Sequence, residues 1–249
     1  MRQIIYGINP VIEALKAPET KLEKILIARG RKGNLETILQ LAAEGKVRVC
    51  YRHRDDLTAL SKGKPHQGVL AVLEAYEYAT LERILAAWKQ SGLRALLLVL
   101  DSIQDPQNLG ALIRTANVFG AHGVIIAKDR AVGITAAAVK ASAGATALTP
   151  VVRVTNIAQS LDRLKEEGIW IVGTTGDTGT PLFEQDLSSD LAVVIGSEGR
   201  GIRPRVLNTC DLVVSIPMAG KISSFNASVA AGIVLYEIVR QRTMKTPIV

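Results

Sequence analysis

From residue 95 onward, short and nearly unbroken apolar runs alternate with amphipathic segments. This alternation limits the possible folds more than any other feature of the chain. The runs cover residues 95–100, 123–127, 169–174, 191–195 and 212–216. A strand covered on one face would show a polar residue at every second position. Strands apolar throughout need cover on both faces, which a parallel sheet flanked by helices provides. The intervening segments supply helices at about residues 109–119, 135–142, 156–167 and 226–242. The expected fold class is therefore α/β, built on a mostly parallel sheet.

The first third of the chain has its own pattern. Asn9-Pro10 reads as an N-cap and first helical position for a helix running to Lys16. Residues 24–28, 47–51 and 69–73 read as strands, with a helix at about 34–43. Residues 1–76 then form a small α/β unit, residues 77–93 a linker with helical spacing over 81–89, and residues 94–249 the larger domain.

Charge separates the two regions. The net charge is +7 and the pI about 9.5, which favours a polyanionic partner. Residues 1–76 hold 13 Lys/Arg against 8 Asp/Glu, whereas the remainder holds 17 against 15. Singly, these cations would be ordinary solvated residues. Together, Arg29, Arg31 and Lys32 in the loop Arg29-Gly-Arg-Lys-Gly33, with Arg52 and Arg54, are candidates for RNA phosphate contact. Aromatic residues make up only 4% of the chain, so base stacking on exposed rings is not the expected mode.

Other classes find little support. Cys50 and Cys210 are too few for a disulfide framework, and His53, His66 and His122 lack ligand spacing, so no metal is expected. No apolar run approaches the roughly 20 residues of a membrane span. The first residues lack a signal peptide's apolar stretch. The expectation is a cytoplasmic protein with no membrane partner.

In open α/β sheets ligands bind where loops leave the carboxyl ends of strands. Four such loops stand out. Asp101-Ser-Ile-Gln-Asp-Pro-Gln-Asn108 places Asn108 as an expected cap of the helix that carries Arg114, and Gly110 permits a close approach. Gly173-Thr-Thr-Gly-Asp-Thr-Gly179 is a glycine-rich turn. Gly196-Ser-Glu-Gly-Arg-Gly201 is not a dinucleotide fingerprint, because its glycines fall as G-x-x-G-x-G. That spacing excludes a nicotinamide-dependent oxidoreductase of the usual kind. Finally, residues 216–228 run from a strand into the last helix, with Asn226 as its expected N-cap and Ser223, Ser224 and Ser228 beside it. Capping accounts for one or two of these polar groups; four point to a polar ligand.

Three of these segments resemble the motifs of the SpoU-type RNA 2′-O-ribose methyltransferases of the SPOUT superfamily. They read N-L-G-A-L-I-R-T-A-N-V-F-G from Asn108, G-S-E-G-R-G from Gly196, and I-P-M-A-G-K-I-S-S-F-N-A-S from Ile216. The segment I-I-Y-G-I-N-P-V-I-E-A-L and His66-Gln-Gly-Val69 extend the resemblance over nearly the whole chain. They are similar to the ribosomal-protein-like RNA-binding domain of the subgroup that methylates a guanosine in large-subunit ribosomal RNA. Phe225 departs from the Leu usual there, keeping the position apolar. The resemblance implies a trefoil knot, which apolar periodicity could not reveal. It also implies a homodimer and S-adenosylmethionine as methyl donor, without a metal. The cofactor would lie against Thr174, Gly176, Gly196, Ile216, Met218 and Phe225. The matching functional positions are Asn108, Arg114, Glu198, Ser224 and Asn226. Arginine stays protonated in proteins, so Arg114 is read as a clamp for the target phosphate and ribose. Glu198 is read as a positioning group, and the proton acceptor stays open. Two alternatives are ribose methylation of transfer RNA and a non-catalytic RNA-binding assembly factor; the second would not need all five positions.

Overall fold

The computed structural model describes residues 4–17, 21–31, 33, 35–176, 178–220 and 224–245. It divides into two compact units, Met1–Glu77 and Tyr78–Val249.

The first unit contains β1 (Ile4–Tyr6), α1 (Ile8–Lys16), β2 (Leu22–Ala28), α2 (Glu36–Glu44), β3 (Arg48–Arg52), α3 (Arg54–Leu60) and β4 (Val69–Leu73). Its sheet runs β1-β4-β2-β3, with β4 antiparallel to β1 and β2, and β2 parallel to β3. Alternate side chains of β2 divide between two small cores. Ile25 and Ile27 meet Val11 of α1 and Ile38 of α2, while Leu26 and Ala28 meet Leu57 of α3. The expected cap Asn9 lies inside α1, which begins at Ile8 after Gly7. Gly7 offers no side chain, and Gln67 Oε1 accepts the Ile8 N–H instead, at 3.0 Å. His66 holds the same turn, its Nδ1 accepting the Gly68 N–H at 3.1 Å and its Nε2 lying 3.1 Å from Thr58 Oγ1. The His-Gln-Gly segment thus does local structural work.

The second unit opens with α4 (Leu81–Ser91), then β5 (Leu96–Leu100), α5 (Pro106–Val118), β6 (Gly123–Ala127), α6 (Ala136–Ala141), α7 (Ala145–Leu148), β7 (Val151–Val154) and α8 (Ile157–Glu166). It continues through β8 (Trp170–Thr175), β9 (Thr180–Pro181), β10 (Leu191–Ile195), α9 (Pro204–Leu207), β11 (Leu212–Ser215) and α10 (Ala227–Lys245). The sheet order is β7-β6-β5-β10-β8-β11-β9, and every neighbouring pair is parallel. The five apolar runs form its interior strands. Because those strands run parallel, the loops after β5, β8, β10 and β11 emerge at one edge of the sheet.

The helical spacing over 81–89 in the connecting segment 77–93 becomes α4, which buries Ile84 and Leu85 in the core with Leu97, Val99 and Leu161. Thr80 caps it, accepting the Arg83 N–H at 3.2 Å. The helix carrying Arg114 starts three positions early, because Asp105 accepts the Gln107 N–H at 3.0 Å and Pro106 occupies the first turn. Asn108 is therefore inside α5 rather than its cap, and its side chain is free for other partners.

Candidate active site

Three loops converge through one small network. Asn108 Nδ2 donates to Glu198 Oε1 at 3.0 Å, and Asn226 Nδ2 reaches both Asn108 Oδ1, at 3.0 Å, and Glu198 Oε1. Asn226 also caps α10, as its position in the sequence suggests: its Oδ1 accepts the Ser228 N–H at 2.9 Å. One carboxylate thus ties the turn after β10 to the first turn of α5 and the start of α10. Charge-assisted bonds of this kind are stronger than neutral ones.

The turn carrying Glu198 explains its glycine spacing. Ser197 and Gly201 exchange backbone hydrogen bonds of 3.1 and 2.8 Å. A Cβ on Gly196 would lie 2.1 Å from the Gly201 carbonyl carbon, so position 196 admits only glycine. Gly199 and Gly201 take φ of 77° and 65°, a region that other residues enter at a cost. The loop closes tightly on itself and projects Glu198.

Beside this network is a cleft of about 470 Å³. Thr174, Gly176, Gly196, Ile216, Met218 and Phe225, the six residues the resemblance singles out for a cofactor, all line it, as does Ser224. Thr174 contributes mainly through its backbone, since its hydroxyl donates to the Val194 carbonyl at 2.9 Å. Thr175, also in the lining, has a buried hydroxyl with no hydrogen-bond partner among the described residues. Behind β8, burial pushes the Cys210 thiol up to about 12. It stays protonated at neutral pH and packs where Gly173 leaves room.

Arg114 stands apart. It is exposed on α5, makes no hydrogen bond or ion pair with a described residue, and lines neither this cleft nor the one beside it. Gly110 does permit a close approach, but by α6: a Cβ there would lie 2.4 Å from the Ala138 carbonyl oxygen. One anchor escapes sequence reading. Asp101, fully buried at the end of β5, accepts from the Arg203 N–H and Nε, both at 2.8 Å. An acid ending an apolar run signals a required partner, yet nothing in the sequence points to a residue so far along the chain. Among the described residues no cluster of His, Cys, Asp or Glu suits a metal ion, and no helix is long and apolar enough to cross a membrane.

In the first unit, Arg29, Arg52 and Arg54 are exposed, and the Arg29 N–H donates to the Arg52 carbonyl at 2.8 Å, which brings two basic loops together. Arg31 is committed elsewhere: its Nε donates to the Gln67 carbonyl at 2.9 Å, and its stem packs over Gly68. Lys32 lies outside the described residues.

Comparison with known proteins places this geometry. Residues 95–236 match the SpoU rRNA Methylase family, and residues 4–79 match the RNA 2′-O ribose methyltransferase substrate-binding family. A Bacillus subtilis protein assigned to the TrmH family of tRNA/rRNA methyltransferases is 44% identical, over 96% of this chain and 95% of its own. The 23S rRNA (guanosine-2′-O-)-methyltransferase RlmB of Coxiella burnetii is 42% identical over 98% of this chain and 97% of its own. The SpoU methyltransferase AviRb of Streptomyces viridochromogenes, solved with AdoMet, superposes with a TM-score of 0.64 at 28% identity, over 98% of this chain and 91% of that one. A matched family domain across more than half of the chain, relatives aligned nearly end to end and a shared fold agree: the chain belongs to the SpoU rRNA methylase family.

Proposed function

We propose that the protein transfers a methyl group from S-adenosylmethionine to the ribose 2′-hydroxyl of a guanosine in large-subunit ribosomal RNA. The observation that carries this reading is the convergence of six separated residues around one cleft, directly beside the Asn108–Glu198–Asn226 network. The cleft suits the cofactor. Its volume falls in the range of roughly 300–1,000 Å³ typical of small-molecule sites. Ile216, Met218 and Phe225 offer apolar cover, and Thr175 offers an unspent hydroxyl. The choice of ribosomal RNA and guanosine is supported by the RlmB relative, which covers this chain almost completely.

When bound, the cofactor supplies a methyl carbon already activated for displacement by its sulfonium. The protein's part is alignment, desolvation and handling of the 2′-hydroxyl proton. Glu198, held by two asparagine amides, acts as a positioning residue that keeps the wall of the cleft fixed. Arg114, exposed and without a hydrogen bond or ion pair to a described residue, is assigned to the RNA phosphate and ribose.

We further infer a homodimer and a knotted C-terminal segment. Supporting the first, Val118 of α5 is 71% exposed, and Val229 and Tyr236 of α10 are 49% and 58% exposed. Apolar surface on two packed helices favours a partner helix pair. Supporting the second, β10 inserts between β5 and β8 while the chain returns through β11 and α10 to pack on α5. We assign the exposed basic loops of the first unit, including Arg29, Arg52 and Arg54, to RNA binding. The deciding experiment incubates the protein with labelled S-adenosylmethionine and unmodified 23S ribosomal RNA fragments or transfer RNA, then maps the modified ribose. Label at a guanosine 2′-oxygen of the ribosomal fragment is expected; label only in transfer RNA would overturn the substrate.

A further inference from the structure

A second cleft, of about 630 Å³, adjoins the first. The two share Ser197, Glu198, Arg200 and Gly201, so the turn after β10 is the wall between them. The second cleft also contains Arg130 and Arg203, against the acids Asp105 and Glu198. Its charges are unequally engaged. Arg203 is tied to buried Asp101, Asp105 caps α5, and Glu198 accepts the two asparagine amides. Arg130 and Arg200 are exposed and have no hydrogen bond or ion pair with a described residue. The loop bearing Arg130 is nonetheless fastened to the rim, because the Val132 N–H donates to the Ile103 carbonyl at 2.8 Å.

We infer that this second cleft receives the target nucleotide, with Arg130 and Arg200 at its rim holding RNA phosphates next to its ribose, in addition to the backbone contact assigned to Arg114 outside the cleft; the inference rests on the methyltransferase reading. Transfer between two bound molecules requires their sites to meet where the reacting atoms meet, and these clefts meet at Glu198. A ribose within an RNA chain brings a phosphate on each side. Two unspent guanidinium groups at a cleft rim match that ligand, since arginine binds phosphate through paired N–H donors. The cleft volume accommodates a nucleoside turned out of its stack.

The test uses the full-length protein, S-adenosylmethionine and an unmodified 23S ribosomal RNA fragment. Wild type, Arg130→Ala, Arg200→Ala and Arg130→Lys are compared for RNA affinity against salt, KM for RNA, and cofactor affinity by calorimetry. Each alanine variant is expected to reduce the slope of log K against log salt by about 1. It should also raise KM for RNA while keeping wild-type cofactor affinity. Arg130→Lys, which keeps a point charge, should recover most of the slope. Wild-type slope and KM in both alanine variants, or a loss confined to cofactor affinity, would overturn the assignment. A wild-type enzyme that binds this RNA in a salt-dependent way but methylates none would instead overturn the proposed function.

Discussion

Asn226 and Arg114 show how differently two site residues can depend on their surroundings. Asn226 both caps α10 and joins Glu198 to Asn108, so Asn226→Ala should affect folding and activity together. Loss of the cap is expected to lower unfolding free energy by about 1 kcal/mol. Loosening the network should cost on the order of 10²-fold in methyl transfer, read by urea unfolding and labelled-methyl incorporation. Arg114 has no such ties among the described residues, so Arg114→Ala should abolish methyl transfer with stability and cofactor affinity unchanged; full activity would remove it from the mechanism. Asn226 was legible as a cap because a polar residue precedes an apolar helix. Asn108 lies inside the helix because the stronger start signal, Asp105-Pro106, is just upstream. A third residue, His122, contributes to the pH response. Burial is the main cause of a lowered pKa at His122, with Arg242 adding to it and the Leu96 backbone and Asp190 opposing it. The unfolded chain therefore takes up this proton first as pH falls. Stability due to neutral His122 is complete above the ordinary value of 6.5 and is lost as pH falls through the folded value. Urea midpoints should drop as pH falls below 6.5, and less so in His122→Gln; equal drops would exclude His122 as the source.

Among the elements, the α5–α6 contact is the tightest constraint on the site. A methyl group at Gly110 would lie 2.4 Å from the Ala138 oxygen and 2.5 Å from the Ala141 Cβ. Alanine improves helix propensity by up to about 1 kcal/mol, but overpacking against backbone costs about 1–3 kcal/mol, so the clash should win. Gly110→Ala is expected to lower the urea midpoint and, by shifting Asn108 on the same helix, to reduce methyl transfer further. A more stable variant would show that α6 yields freely. Central strands were readable because burial on both faces leaves an unbroken apolar run. β7 and β9 were not, since an edge strand needs little cover: β7 is buried only at Val151 and Val152, and β9 has two residues. α3 carries a similarly weak pattern, with Leu57 its only buried side chain.

For the molecule as a whole, α10 has apolar residues on two faces. Ala231, Val234, Leu235 and Ile238 are buried, whereas Val229 and Tyr236 are left exposed beside Val118 of α5. In the proposed homodimer this exposed face is the contact surface. Combined Val118→Asp and Tyr236→Asp changes should give a monomer by light scattering, with methyl transfer reduced and secondary structure intact. An unchanged mass would reject this surface as the interface.

Short apolar runs alternating with amphipathic helical segments were enough to indicate a parallel sheet covered on both faces, and three motifs were specific enough to indicate the family. The sequence by itself could not say which distant residues meet. Glu198 finds Asn108 and Asn226, and Asp101 finds Arg203, only because β5 and β10 pair in parallel and discharge their loops at the same edge. Pairing of this kind depends on strand order, which local periodicity does not encode. The second cleft, with Arg130 and Arg200, belongs wholly to that level: it exists only once the loops are folded against one another.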